Sequence, residues 1–252
     1  MRCSLGRSRY TIAPGLYAIG APSQESPVLV TANYKMTFDI VRRDMHGLNA
    51  WLLVIDTKGV NVWCAAGKGT FGTSEIAHRV RSTGLQDVVN HRTLILPQLG
   101  APGVAAHKVL TECGFKVVDG PVRSEDLPSF LATGQQATEG MRRVTFGLIE
   151  RLVLTPVELV NVWKHIVWGS VALFVLGGIS PEIFSLSAAW SRGGAAISSG
   201  LLGLVCGAVA SPLLLPWLPG RSFAVKGAAT GLFAGVVAAL AFAEGLSWLN
   251  SL

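Results

Sequence analysis

The first half of the chain alternates short apolar runs with segments of helical periodicity. Apolar runs at 28–31, 52–55, 92–97 and 115–118 predict buried strands. Helical patterns at 35–46, 73–81 and 104–112 lie between or beside them. Repeated strand–helix order with short connections predicts an α/β fold with a Rossmann-like, mostly parallel sheet. Ligands of such sheets bind at the carboxyl ends of the strands.

The second half of the chain has long apolar stretches instead. Because a membrane-crossing helix needs about 20 apolar residues, we predict spans near 162–179, 196–218 and 228–250. Charged and bulky positions alternate in helical fashion at 142–160, which is typical of an interfacial helix. The predicted division is a ligand-binding domain at 1–137, a linker or interfacial helix at 138–160 and a transmembrane domain at 161–252.

The uneven distribution of charged residues along the chain supports this division. The last 100 residues contain four Lys/Arg and three Asp/Glu, whereas the first 152 contain seventeen and twelve. The net charge of +6 does not indicate nucleic-acid binding, because basic residues cluster beside the apolar spans. These residues are Arg142, Arg143, Arg151, Lys164, Arg221 and Lys226. We therefore expect a lipid bilayer as partner, no nucleic acid, and a multi-pass protein of the cytoplasmic membrane with its N-terminal domain in the cytoplasm.

The four cysteines are Cys3, Cys64, Cys113 and Cys206. No pair has the spacing of a zinc or iron–sulfur motif, so no iron–sulfur cluster is expected in this chain. The N-terminus lacks the apolar core of a signal peptide. The first domain is therefore expected in a reducing compartment, where a free thiolate persists.

The most specific candidate site follows the second predicted strand. It is the octapeptide Asn61, Val62, Trp63, Cys64, Ala65, Ala66, Gly67 and Lys68. A cysteine that opens a short helix has its thiolate favoured by the helix dipole. The small residues after it would let a flat group approach the backbone, so Ala66→Leu is expected to reduce cofactor loading without unfolding. Thr31, Gln98 and Gly100, in loops after other strands, are predicted to form the opposite wall.

Simpler interpretations of these residues remain open at this point. By residue type alone, Cys64 fits a buried structural thiol. Asn61 fits a helix cap as well as a cofactor contact, and Trp63 fits a core anchor as well as a cofactor wall. Lys68 is either a solvated helix end or a contact to a cofactor side chain. The G-x-G-x-x-G match at 67–72 is weak, because it lies about ten residues beyond the strand.

The octapeptide resembles the cap-helix motif of the mercury-methylating corrinoid protein family (HgcA type). The runs 14–20 and 26–35 look like the same family. The segment is also similar to the corrinoid domain of the acetyl-CoA-pathway corrinoid iron–sulfur protein. The resemblance implies a cobalamin or related corrinoid, bound base-off, with the Cys64 sulfur as lower axial ligand of cobalt. Residues 61–68, Thr31, Gln98 and Gly100 are then cofactor-binding. Asp44 and His46 begin a histidine-ligand motif that lacks its glycine, so His46 is predicted at the surface.

The resemblance also implies a function. The chain would be a membrane-anchored corrinoid methyltransferase that passes a methyl group from a folate-type donor, through cobalt, to Hg(II). A ferredoxin-like protein with two [4Fe-4S] clusters would supply electrons. The alternative is a corrinoid methyl carrier of one-carbon and acetyl-CoA metabolism, or a non-enzymatic membrane corrinoid-binding protein. The family carries about five spans, so three spans imply a short branch or a C-terminal truncation.

Overall fold

A computed structural model describes residues 10–249, with side chains described for residues 10–240. Contacts divide the chain after residue 145 into an N-terminal domain and a helical unit. Cys3, the start of the predicted first domain and the end of the predicted third span lie outside the described residues. The predicted boundary at 137 falls eight residues before this division.

The N-terminal domain is built on a five-stranded sheet with the order β1-β3-β2-β4-β5. The strands are β1 Gly15–Ile19, β2 Val28–Ala32, β3 Ala50–Ile55, β4 Thr93–Leu96 and β5 Lys116–Asp119. Strands β2 to β5 are parallel, whereas β1 pairs antiparallel with β3. The predicted α/β fold with a mostly parallel sheet is therefore confirmed. Strand β1 was not predicted as an element, because four of its five residues are only partly buried or exposed.

Helices connect the strands and cover both faces of the sheet. They are α1 Lys35–Asp44, α2 Val62–Gly67, α3 Thr73–Ser82, α4 Leu85–Val88, α5 Ala106–Cys113 and α6 Leu127–Ala132. The predicted helix at 104–112 begins later, because a 3-10 turn at Gln98–Gly103 occupies the approach to it. Helices α4 and α6 have only four and six residues, too few for a periodic pattern to show in the sequence.

The core lies on both faces of the sheet, because successive strand residues point in opposite directions. Val28, Val30 and Leu53 pack on one face with Phe71 and Phe115. On the other face, alternate positions of the same strands pack with α1 and α6: Leu29, Leu52, Val54, Phe38 and Phe130. Strand β2 is buried along its whole length, as expected of a central parallel strand.

In the described part of the helical unit, three helices are long and apolar enough to cross a membrane, judged by length and composition. They are α7 Leu148–Gly178, α8 Leu186–Leu214 and α9 Phe223–Leu249. A short β-hairpin, Ile179–Ser180 with Ile183–Phe184, joins the first two. Helix α8 contains π-helical turns at Ala189–Gly193 and Cys206–Ala210.

Helix α7 differs from the sequence prediction, because the linker helix and the first span form one continuous helix of 31 residues. Pro156 lies inside this helix without ending it. At its far end, α7 approaches α8 very closely. A Cβ on Gly177 would lie 2.5 Å from the backbone nitrogen of Gly193. Glycine is therefore required at this crossing, as is typical of close helix pairs in lipid.

Candidate functional site

The octapeptide forms the short helix α2, which follows the carboxyl end of β3. Asn61 caps this helix, since its Oδ1 accepts a hydrogen bond of 2.9 Å from the backbone N–H of Cys64. The preceding loop is fixed by Asn33, whose Oδ1 accepts hydrogen bonds from the N–H groups of Thr57 and Gly59. The local sequence thus holds the start of α2 in one place relative to the strand ends.

Helix α2 has an exposed face and a buried face. Cys64 is a free, exposed cysteine, and Trp63 beside it is 68% exposed. Val62, Ala65 and Ala66 are buried on the opposite side. An exposed tryptophan of this size needs a reason, because apolar side chains of that area are usually covered. The exposed face is therefore the part of α2 that can meet a ligand.

The small residues of the motif have a packing role within the protein. A Cβ on Gly103 would lie 2.2 Å from the Phe71 carbonyl oxygen and 3.1 Å from the Ala66 Cα. A Cβ on Gly100 would lie 2.5 Å from the Phe71 ring. The 3-10 turn at Gln98–Gly103 thus lies directly behind α2. The expectation that a larger residue at position 66 would leave the fold intact is corrected, because Ala66 is buried against this turn.

A cavity of about 300 Å³ opens beside the start of α2. Its walls come from the ends of β2 and β4, the loop at 120–122 after β5, helix α1 and residues 61–63. The lining is mostly apolar, and its polar members are Thr31, Thr37, Asn61 and Ser124. The cavity occupies the carboxyl edge of the parallel strands, where ligands bind in doubly wound sheets.

Thr31 lines this cavity and carries an unusual feature. Its side chain is 2% exposed, and its Oγ1 has no hydrogen-bond partner among the described residues. An unpaired buried hydroxyl costs about 1–3 kcal/mol. Such a cost is offset when a bound ligand supplies the missing partner. Thr31 is therefore the predicted site residue that the structure places best for a polar ligand contact.

The other predicted site residues are placed less favourably. Gln98 accepts a hydrogen bond of 2.7 Å from Arg142 Nη1, and Gly100 is buried against Phe71. Their neighbours Pro97 and Leu99 line the cavity in their place. Gly67 and Lys68 are exposed at the end of α2. A cofactor contact from these four residues stays a prediction.

The remaining candidate groups have structural explanations. Burial raises the pKa of the Cys113 thiol, which fits an inert packing residue. His46 is exposed after α1, as predicted. Hydrogen bonds from Lys58 hold the pKa of the Asp56 carboxyl below its usual value. Among the described residues, no three His, Cys, Asp or Glu side chains come together as a metal site.

Comparison with known proteins shows what the N-terminal domain is similar to. Residues 7–131 match the family model of the CO dehydrogenase/acetyl-CoA synthase delta subunit, CdhD. Over these residues the N-terminal domain is similar to this family. The chain is 35% identical over 140 residues to the acetyl-CoA decarbonylase/synthase complex subunit gamma of Methanopyrus kandleri. The corresponding subunit of Archaeoglobus fulgidus is 34% identical over 127 residues.

These alignments cover 55% and 50% of the chain but only 29% and 27% of the relatives. The chain thus spans less than a third of the length of the curated relatives it matches. The prediction of a mercury-methylating enzyme is corrected, because the named relatives are subunits of an acetyl-CoA decarbonylase/synthase complex. The similarity to the acetyl-CoA-pathway protein is the part of the resemblance that these relatives support.

Sequence reasoning missed part of the cavity. Thr37 and Ile40 on α1 and the loop at 120–122 were not predicted as lining residues. The Gly120-Pro121 pair directly after β5 was an available signal, because a turn at that point belongs to the carboxyl edge of the sheet. Helix α1 gave no comparable signal, since its cavity-facing residues differ little from core positions.

Proposed function

We propose that the N-terminal domain binds a corrinoid and serves as a methyl carrier in one-carbon metabolism. The observation that supports this most is the exposed Cys64, which follows cavity-lining residues 61–63, together with the buried Thr31 hydroxyl of that cavity, which has no hydrogen-bond partner in the described part of the chain. The relatives, which are subunits of an acetyl-CoA decarbonylase/synthase complex, favour this chemistry over other uses of a cysteine.

In this proposal Cys64 would hold the corrinoid by supplying its sulfur as a ligand to cobalt. The bound corrinoid would accept and release a methyl group. Asn61 fixes the cysteine through its cap, and Trp63 provides an apolar wall beside it. The cavity is much smaller than a whole corrinoid, so it would hold only an appended group. Its apolar lining and the Thr31 hydroxyl suit a group with one polar atom.

Partners follow from the same proposal. A folate-type methyl donor would load the corrinoid, and a ferredoxin-like protein with two [4Fe-4S] clusters would reduce it. Membership of the relatives in a multi-subunit complex supports a function that depends on other proteins. Because Cys64 lies on the exposed face of α2, a corrinoid held there would be accessible to such partners.

Replacing Thr31 with valine tests the cavity. Valine has the same shape but lacks the hydroxyl, so a lost ligand hydrogen bond of about 1 kcal/mol should weaken corrinoid binding roughly five-fold. The unfolding midpoint of the apo protein should stay equal or rise, because an unpaired hydroxyl is removed. Binding is measured by titration of the visible spectrum. Thr111→Val, at an exposed position of α5, is the control, and equal weakening in both variants would contradict the assignment.

We further propose that α7, α8 and α9 anchor the chain in the cytoplasmic membrane. The protein should remain in the membrane fraction after a carbonate wash. A cysteine at Ser222, between the second and third spans, should resist an impermeant thiol reagent in intact cells, because Arg221 and Lys226 favour the cytoplasmic side. A cysteine at Glu182, in the hairpin after α7, should react. Reaction at position 222 from outside would reverse the proposed orientation.

A further inference from the structure

The helical unit has a cavity of its own between α7 and α8. Its volume is about 580 Å³, and most of its lining is apolar. Leu154 and Val162 of α7 face Gly203 and Gly207 of α8 across it. The π-helical turn Cys206–Ala210 forms part of the same wall. Such turns widen a helix locally and occur often at functional sites.

Arg151 closes one end of this cavity. It is 6% exposed, and its Nη1 donates hydrogen bonds of 2.8 Å to the Leu213 carbonyl and 3.3 Å to the Pro212 carbonyl. Its Nε donates to the carbonyls of Phe146 and Gly147. Within the described residues, no carboxylate forms an ion pair with Arg151, and its Nη2 donates no hydrogen bond. Within that part of the chain, the buried cation is therefore balanced by carbonyl dipoles and the face of the Trp217 ring, and it has a donor to spare.

Glu158 also lines the cavity, two helical turns further along α7, about 10 Å from Arg151 along the helix axis at 1.5 Å per residue. Its carboxylate would repel a second anion at that depth. The cavity therefore suits a ligand with a single anionic group at the Arg151 end and an apolar remainder.

The lengths of the helices indicate where the Arg151 end of the cavity lies relative to the hydrocarbon layer of a membrane. At 1.5 Å per residue, 31 residues of α7 extend about 46 Å, whereas the hydrocarbon layer is about 30 Å thick. Arg151 is the fourth residue of α7, and its acceptors lie at the end of α8. The charged residues of α7, Glu150 to Lys164, lie in the first 17 of its 31 residues, and none follows towards Gly178. Trp217, whose ring lies 5.9 Å from the Arg151 guanidinium, is a typical interfacial anchor.

We propose that this cavity binds a phospholipid, with the phosphodiester on Arg151 and an acyl chain along Gly203 and Gly207. The inference rests on the proposed insertion of α7 and α8 into a membrane. A lipid fits better than a free phosphate ion, because most of the lining is apolar and extends away from the guanidinium. An anionic headgroup fits better than a zwitterionic one, because Arg151 lies at the headgroup end, whereas the Glu158 carboxylate lies about 10 Å further along α7.

The full chain, purified in detergent, is titrated with phosphatidylglycerol, with phosphatidylcholine and with water-soluble glycerol phosphate. We expect phosphatidylglycerol to raise the unfolding midpoint by several degrees, and the other two compounds to raise it by less than half as much. Native mass spectrometry should show one retained phosphatidylglycerol. An equal, Arg151-dependent shift with glycerol phosphate would identify a soluble anion site and overturn the lipid assignment.

Two variants test the two ends of the cavity separately. Arg151→Gln removes the charge, and Gly207→Leu fills the apolar part, where an added Cβ meets no protein atom within 4 Å. Both should lose most of the phosphatidylglycerol shift, whereas Arg221→Gln and Gly227→Leu, outside the cavity, should keep it. If Arg151→Gln does not fold, Gly207→Leu decides. Full retention of the shift in Gly207→Leu would overturn the proposal, and release of the wild type by a carbonate wash would instead refute the membrane anchor.

Discussion

Cys64→Ala should leave the domain folded and change the visible spectrum of the corrinoid-loaded protein. The side chain is exposed and the backbone N–H of residue 64 keeps its bond to Asn61, so the variant removes a sulfur without opening the core. Loss of a metal ligand should weaken corrinoid retention at least ten-fold, which corresponds to about 1.4 kcal/mol. Absorption spectroscopy of the reconstituted full chain measures both effects.

Cys113→Ala is the matched control, because that thiol is half-buried on α5 and distant in sequence from the motif. Its spectrum should equal that of the wild type. Cys64→His should retain part of the binding, since an imidazole also coordinates cobalt but donates electrons less strongly. An unchanged spectrum in Cys64→Ala would refute the assignment of Cys64 as the cobalt ligand.

Gly103→Ala should destabilise the N-terminal domain strongly. The new Cβ would lie 2.2 Å from the Phe71 carbonyl oxygen and 3.1 Å from the Ala66 Cα, so backbone segments must move. Overpacking of this kind costs about 1–3 kcal/mol, and contact with backbone atoms puts the expected cost at the upper end. Denaturant unfolding of the apo protein measures the loss.

Gly67→Ala is the control for this prediction, because a Cβ at position 67 meets nothing within 4 Å and lies in the helix. Alanine there should leave stability equal or raise it by up to about 1 kcal/mol through helix propensity. Ala66→Leu should behave like Gly103→Ala, since Ala66 is buried against the same turn. Equal stability of Gly103→Ala and Gly67→Ala would show that the turn behind α2 can move freely.

The sequence predicted the parts of the fold that depend on local pattern. Strands β2 to β5 follow from apolar runs, and the cap at Asn61 was one of two interpretations that its residue type allowed. The packing of Ala66 against the 3-10 turn could not be predicted from local pattern. A sequence shows that Ala66 is small, but its neighbour Gly103 lies 37 positions away, and only the folded chain shows that they touch.

The same limit applies to the cavity. Thr31 was predicted from its place at the end of a strand, and the structure adds that its hydroxyl is buried and has no hydrogen-bond partner among the residues described. Contributions from α1 and from the loop at 120–122 depend on crossover connections that bring distant segments to one edge. The octapeptide at 61–68 led to the prediction of mercury methylation, which is more specific than the relatives support. Eight residues define the local geometry of a helix, but they do not identify the molecule that accepts a methyl group.

Strand β1 has a consequence for how the domain avoids self-association. It pairs with β3 along five residues, from Gly15 with Val54 to Ile19 with Ala50. Without it, β3 would present an open backbone edge made of six apolar residues, Ala50–Ile55. Exposed apolar edges of this kind template the addition of further strands and lead to aggregation. A chain shortened to begin after residue 20 would keep every residue of the candidate site. It would lose solubility, because this one antiparallel strand covers the edge of β3.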